Sequence, residues 1–210
     1  MKLIVITPSK DVPDEPMLVT RMFESGLTTL HLRKPNYSTA QMRDYIKEIP
    51  EHYHNRIIIH SHHSLALKFK LKGIHLSRIH FSKKLRYLFV RFRLKMKFGH
   101  TSKSRSYTKL QQAYSKEEHS FDYYLIGTMF NNMNSELYSG FYPEGIIAAN
   151  KNSGKKLVAR GGATPKIIQK AREYGFYGIA FNSYLWGADS PYDNFLVIVN
   201  EYRRLGMQLD

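Results

Sequence analysis

The sequence predicts a single (β/α)8 barrel, the TIM-barrel architecture, spanning residues 1–210. Three observations lead there. Short apolar runs alternate with amphipathic helical stretches eight times, about once every 25 residues, which is the rhythm of a parallel sheet closed by helical crossovers. Residues 156–187 read as strand, helix, strand and the start of another helix, with Gly161-Gly162 after one strand and Asn182-Ser183 after the next. No Gly-x-Gly-x-x-Gly follows the first strand, which disfavours the alternative of an open doubly wound sheet.

In chain order, Lys2–Thr7 is expected as the first strand and Leu18–Phe23 as part of a helix closed by Gly26. Thr28–Arg33 is the second strand, and Ser38 caps a helix running through Ile46. The β-branched run Arg56–His60 is the third strand, followed by a helix near His62–Phe69. Gly73–Leu76 is a short fourth strand and Ser82–Val90 a helix. Leu94–Gly99 alternates and is expected as strand five, with a helix over Tyr107–Tyr114. Tyr123–Gly127 is strand six. A polar segment containing Asn131, Asn132 and Asn134 reads as a mobile loop, and Tyr142–Ala149 as a helix. Lys156–Arg160 is strand seven. Thr164 is an N-cap with Pro165 at the first helical position, Ile167, Ile168 and Ala171 form the buried face, and Gly175 ends the helix in a left-handed cap. Gly178–Phe181 is strand eight and Pro191–Arg203 the closing helix.

Composition bounds the partners. The chain has 210 residues, enough for a sizeable core, and no cysteine. Disulfides, thiolate metal sites and cysteine nucleophiles are therefore excluded, which fits a reducing, cytoplasmic setting. The opening apolar run is too short for a signal peptide or a membrane span. The formal charge of +15 favours anionic partners. The run from Lys83 to Lys97, with Phe89, Phe92 and Phe98 interleaved, has the look of a nucleic-acid surface; a solvated helix face gives the same pattern and is preferred. A phosphorylated small molecule is the expected partner. The oligomeric state stays open, with a homodimer among the options.

Candidate site residues follow from the barrel. Parallel strands joined by a helix put the Gly161-Gly162 turn beside Asn182-Ser183 at the carboxyl ends of strands seven and eight, where bare amides and a hydroxyl form an anion cup. A Gly-Gly serving only a tight turn is the competing explanation. Strand alternation puts His31 and Arg33 on one face, away from Leu30 and Leu32, so both point into the barrel. An inward arginine needs an anion or a carboxylate. His60, His75 and His100 fall near strand ends, and with His62, His63 and His80 suggest a metal site. Their spacing matches no zinc motif, so no metal site is assigned and polar rim positions are expected.

Eight landmarks in order, LIVITP, GLTTLHLRK, IIIHSHHSLAL, GIHLSR, FGHTSKS, FDYYLIGTMF, LVARGGATP and GIAFNSYLW, resemble the thiamine-phosphate synthase family and its sister branch, the thiazole tautomerases. The resemblance implies an enzyme that joins a pyrimidine carbocation, formed as pyrophosphate leaves, to a thiazole phosphate with the help of Mg2+. It implies a thiazole phosphate at Gly161, Gly162, Asn182 and Ser183, and pyrophosphate contacts from Arg33 and Thr101. There are departures. The family's Gln-x-Arg-x-Lys reads His31, Arg33, Pro35 here, with Lys34 on the other face. Its Asn-Asp after strand three is His60-Ser61, and a second acidic position is His80, so the aspartates that would hold Mg2+ are gone. The tautomerase branch moves a proton without metal, using a histidine after strand five; the resemblance places Lys103 there, with His100 three residues earlier, as the candidate acid–base pair. Coupling with a degraded Mg2+ site is the leading expectation, with metal-independent isomerisation or a non-catalytic phosphate-binding regulator as alternatives.

Overall fold

The structure, a computed structural model, describes residues 1–77, 92–93, 96, 101–116, 121–131, 136–138 and 140–209. Eight parallel strands close on themselves in chain order: β1 (Lys2–Ile6), β2 (Leu30–Leu32), β3 (Ile57–Ile59), β4 (Gly73–Leu76), β5 (Ser102–Tyr107), β6 (Tyr123–Ile126), β7 (Leu157–Arg160) and β8 (Gly178–Phe181). Closure is made by β1 on β8, with Lys2 opposite Gly178 and Val5 opposite Phe181. The expected barrel is what the chain forms.

Alternation divides the core in two. Leu3, Val5, Leu30, Leu32, Ile57, Ile59, Ile74, Leu76, Ile179 and Phe181 face the surrounding helices. Ile4, Ile6, Ile58, Tyr123, Leu125, Val158 and Ala180 fill the barrel itself. The intervening helices bury one apolar stripe each, as Val19, Met22 and Phe23 do on α1 (Glu15–Glu24). On α2 (Thr39–Lys47) the Ser38 side chain accepts from the Gln41 amide while Gln41 returns a bond to the Ser38 amide, a full capping box. Pro165 opens a 3-10 turn, Pro165–Ile167, that continues as the helix Ile168–Glu173. Gly175 (φ 77°) ends it, with the Phe176 amide reaching back to the Ala171 carbonyl.

Strand five is a correction. It is Ser102–Tyr107, not Leu94–Gly99, of which only Met96 is described, in helical conformation. The inward positions of the true strand are Ser102, Ser104 and Ser106, and the outward ones Lys103, Arg105 and Tyr107. Polar inward residues leave no hydrophobic period to read, so the alternating Leu-Lys-Met-Lys-Phe run won on pattern alone. Tyr107 accordingly ends the strand, and the expected helix shortens to a 3-10 turn at Leu110–Tyr114. The helix expected at Ser82–Val90, most of the basic run, Asn132 and Asn134 lie outside the described residues.

At the amino end of the barrel, Lys72 donates to the Thr28 carbonyl and to Thr29 Oγ1 and lines a cavity with Lys2, Lys70 and Lys156. Burial, then the charges of Lys2 and Arg56, hold its pKa down to about 8. Between that value and the ordinary 10.5 the unfolded chain binds more protons than the folded one, so stability rises with pH in that window. Denaturant unfolding at pH 7.5 and 9.5 is expected to show a gain that Lys72→Met removes; an equal gain in the variant would assign the effect to other groups.

Candidate active site

Each strand delivers its inward residues to one interior, and at the carboxyl half of the barrel these turn polar. His31 follows Leu30 on the inward face of β2, His75 occupies the same face of β4, and His60 comes two residues after inward-facing Ile58. Their rings gather: His60 and His75 stack at 4.1 Å between centroids, and His31 lies 5.1 Å from His60 and 5.6 Å from His75. His31 Nδ1 is 2.8 Å from His60 Nε2, and His31 Nε2 is 2.5 Å from the Tyr123 hydroxyl. His75 Nδ1 and Nε2 meet Ser104 Oγ at 2.9 Å and Ser106 Oγ at 3.0 Å.

Burial fixes the protonation. His31 is pushed down to about 3, first by desolvation and then by the charges of Lys72 and Arg160, and His60 well below its ordinary value, again mainly by burial. Both are neutral at physiological pH. Burial raises the Tyr123 hydroxyl, so it keeps its proton. One tautomer set satisfies the chain: the Tyr123 hydroxyl donates to His31 Nε2, and His31 Nδ1–H donates to His60 Nε2. The rim positions expected for His60 and His75 are thus an interior network. His62 is spent on scaffolding, bonding Thr39 Oγ1 and the Tyr37 carbonyl, and His63 contacts the His75 carbonyl.

Above this network stand two guanidinium groups whose charges act on each other. Arg33 lies just past β2, its amide held by Thr7 Oγ1 at 2.8 Å and its side chain donating to Ser9. Arg160 is the last residue of β7, on the inward face shared with Val158, and donates to the Gly127 carbonyl at 3.2 Å. Burial and the neighbouring Arg33 charge both depress Arg160. Like charges brought together at a barrel mouth fit a site for an anion.

Gly161 and Gly162 follow Arg160 directly, both with positive φ (86° and 65°). Among the described residues neither amide has a backbone acceptor, whereas the Gly161 carbonyl is used by the Phe130 amide. The turn therefore braces the loop after β6 and leaves two amides available at the mouth. Ser183, exposed, opens the short helix Ser183–Trp186 after β8. The Asn182 side chain is committed to structure, donating to the Ile6 and Thr7 carbonyls, which leaves only its backbone for a ligand.

Other expected residues stand elsewhere. Thr101 immediately precedes β5, at the amino end of the barrel, and Lys103 is the second residue of β5 on its outer face, so neither joins the mouth residues. His100 lies outside the described residues. The inward hydroxyl nearest the carboxyl end of β5 is Ser106. Arg160, Tyr123, Ser104 and Ser106 escaped sequence reasoning, although alternation within Leu157–Arg160 would have placed Arg160 inward.

Comparison with known proteins agrees with the fold. The family model described as thiamine monophosphate synthase matches residues 3–185. A thiamine phosphate pyrophosphorylase from Bacteroides thetaiotaomicron is 28% identical with a TM-score of 0.75, over 98% of this chain and 96% of that one. One from Pyrococcus furiosus is 20% identical with a TM-score of 0.74, over 97% and 96%. The 3-hexulose-6-phosphate synthase of Salmonella typhimurium shares the fold at 14% identity and a TM-score of 0.67, over 97% and 99%. No curated protein matches the chain. With a family model matching most of its length, the chain belongs to the thiamine monophosphate synthase family.

Proposed function

We propose that the protein binds a thiazole phosphate at the Gly161 and Gly162 amides and the Ser183 hydroxyl and couples it to a pyrimidine pyrophosphate whose leaving group is held by Arg33 and Arg160. The observation that carries this reading is the pair of Gly161 and Gly162 amides without backbone acceptors directly after Arg160, the last and inward residue of β7. In the reaction the bond from the pyrimidine methylene to the pyrophosphate oxygen breaks with its electron pair, and the thiazole nitrogen lone pair forms the new C–N bond. Arg33 and Arg160 offset the charge that develops on the departing oxygens. Among the described residues no carboxylate joins the histidine cluster beneath them to compete for those guanidinium groups.

The family is typically Mg2+-dependent. The donors here do not fit that ion. After β3 stand an imidazole bonded to His31 and Ser61, whose buried Oγ has no partner among the described residues, where Mg2+ wants hard and usually anionic oxygens. No step is assigned to Mg2+. A second reading, metal-independent isomerisation of a thiazole phosphate, is favoured by the Tyr123–His31–His60 chain, which can pass a proton between neutral groups.

The test is formation of thiamine phosphate from the two substrates, with Mg2+ and with a chelator. Product is expected, with a rate that changes less than about tenfold on Mg2+ removal. Arg160→Met is expected to lower kcat/KM by about 10- to 100-fold, the worth of a charge-assisted hydrogen bond, with little loss of Tm because a like-charge contact is relieved. Thiazole phosphate binding without product would favour isomerisation, and no thiazole phosphate binding in calorimetry would remove both readings.

A further inference from the structure

We propose that His31, His60 and His75 form a three-histidine site for a borderline divalent transition metal of the zinc and cobalt class, deep in the barrel, with His60 its most exposed member. One ring nitrogen from each residue can be chosen so that all lie within 4.8 Å of one another. A tetrahedral ion with Zn–N bonds of about 2.05 Å needs its ligand atoms roughly 3.4 Å apart. The His31–His60 pair at 2.8 Å therefore opens slightly and the third ring closes in, movements within the reach of χ rotations. All three rings stand on or just beyond barrel strands, the rigid part of the fold.

The surroundings are those of a metal site's outer shell. Metal-bound histidines ordinarily engage their second nitrogen with a hydrogen-bonding group, which sets the tautomer and the ring plane. Tyr123 does this for His31; His75 has Ser104 at Nδ1 and Ser106 at Nε2, so one serine stays as its outer partner while the other yields its nitrogen to the ion. On metal binding His31 carries its proton on Nε2, donated to the Tyr123 oxygen, and offers the Nδ1 lone pair, while the Tyr123 hydroxyl turns toward Ser104. A metal takes the imidazole in its neutral form, and this shift of the His31 proton from Nδ1 to Nε2 frees the lone pair without a net proton loss from that ring. Imidazole donors select zinc, cobalt, nickel or copper over magnesium. Among the described residues no carboxylate joins the three rings, and Arg33 and Arg160 add positive charge. Both facts call for an anionic fourth ligand from the mouth, the direction from which a phosphorylated substrate arrives.

The test needs no catalysis, so its outcome is separate from that of the coupling reaction. The full chain is stripped with a chelator and titrated with Co2+ and Zn2+ alone, followed by calorimetry and by the visible absorption of four-coordinate cobalt. One ion per chain is expected, with a Kd of about micromolar or tighter, and none of Mg2+ under the same conditions. His60→Gln and His75→Ala are each expected to weaken binding by about 100-fold or more, and Tyr123→Phe by about tenfold. His52→Ala, at an exposed histidine away from the cluster, is expected to bind as the parent does. Near-ultraviolet circular dichroism confirms folding, and His60→Gln, at the only half-buried member, keeps the test sound if His75→Ala does not fold. No stoichiometric Co2+ binding, undiminished binding in folded His60→Gln, or an equal loss in His52→Ala would overturn the assignment.

Discussion

Replacing Lys34 with methionine is expected to lower folding stability by about 3–5 kcal/mol at neutral pH, the usual consequence of removing one partner of a buried ion pair. Lys34 follows Arg33 and points the other way, out of the barrel and under the loop after β1. There its Nζ lies 2.6 Å from Glu15 Oε2 and 2.9 Å from the Lys10 carbonyl, with Lys34 and Glu15 both almost wholly buried. Asp11 at 3.7 Å is exposed and contributes little. The residual Glu15 carboxylate keeps one donor, the Tyr45 hydroxyl at 2.8 Å. Burial already raises the Glu15 pKa above its ordinary value, and the lysine opposes that rise. Without Lys34 the folded carboxyl moves higher still. A folded pKa above the unfolded one means the folded chain binds more protons in between, so stability falls as pH rises through that window. The deficit of Lys34→Met should therefore shrink on going from pH 7.5 to 5.5 in urea melts, and Lys34→Met with Glu15→Gln should recover much of it at pH 7.5. A deficit that neither acid nor the second substitution reduces would mean that lost packing of the lysine stem, not the stranded carboxylate, sets the loss. The same geometry explains why Lys34 cannot replace the lysine two positions after the arginine in the family pattern. It supports the scaffold beneath the mouth and is not available to a substrate.

Most of the barrel was legible because its strands carry their instructions locally. Ile57–Ile59, Gly178–Phe181 and Gly73–Leu76 have apolar outward faces that only a sheet wrapped in helices can bury, and Ser38 with Gln41 announces a helix start. Strand five was illegible for the reason that makes it interesting. Its inward face is a column of serines, two of them matched to His75 on the neighbouring strand β4, and a polar strand facing polar partners has no hydrophobic signature. The site divides similarly. His31 and Arg33 could be placed by alternation within one strand, whereas the histidine cluster joins residues 29 and 15 positions apart in sequence, from three strands, and only closure brings their rings together. Spacing rules for metal motifs describe ligands within a loop or a helix, so they are silent about ligands assembled by a barrel. The slip at strand five also shifted the expected roles of Thr101 and Lys103, since a register error moves every later assignment on that strand.

Gly162→Ala is expected to destabilise the fold by about 3 kcal/mol or more and to lower Tm by roughly 10 °C, with thiazole phosphate binding lost in the same variant. Two effects add at this position. Its φ of 65° is a left-handed conformation that costs an L-residue about 1–2 kcal/mol. A Cβ built there would also stand 1.9 Å from the Phe130 carbonyl oxygen, a backbone atom that cannot swing aside. The loop after β6 would have to retreat, breaking the bond from the Phe130 amide to the Gly161 carbonyl at 3.2 Å and opening the turn that presents the two amides. Gly154 separates the two effects. It has nearly the same φ, 66°, and nothing within 4 Å of the built Cβ, so Gly154→Ala should show the left-handed penalty alone. If both variants melt together, the loop contact is soft and the glycine pair is not needed to brace it. If Gly162→Ala melts lower but still binds the phosphate with parent affinity, the turn is structural only and the anion is held by Arg33, Arg160 and Ser183. The expected result, loss of both in Gly162→Ala and a small loss of stability alone in Gly154→Ala, would mean that one close approach of two loops serves both purposes. In that case the absence of a side chain lets β7's loop dock on β6's loop, and the same docked backbone keeps its two amides in place for the phosphate.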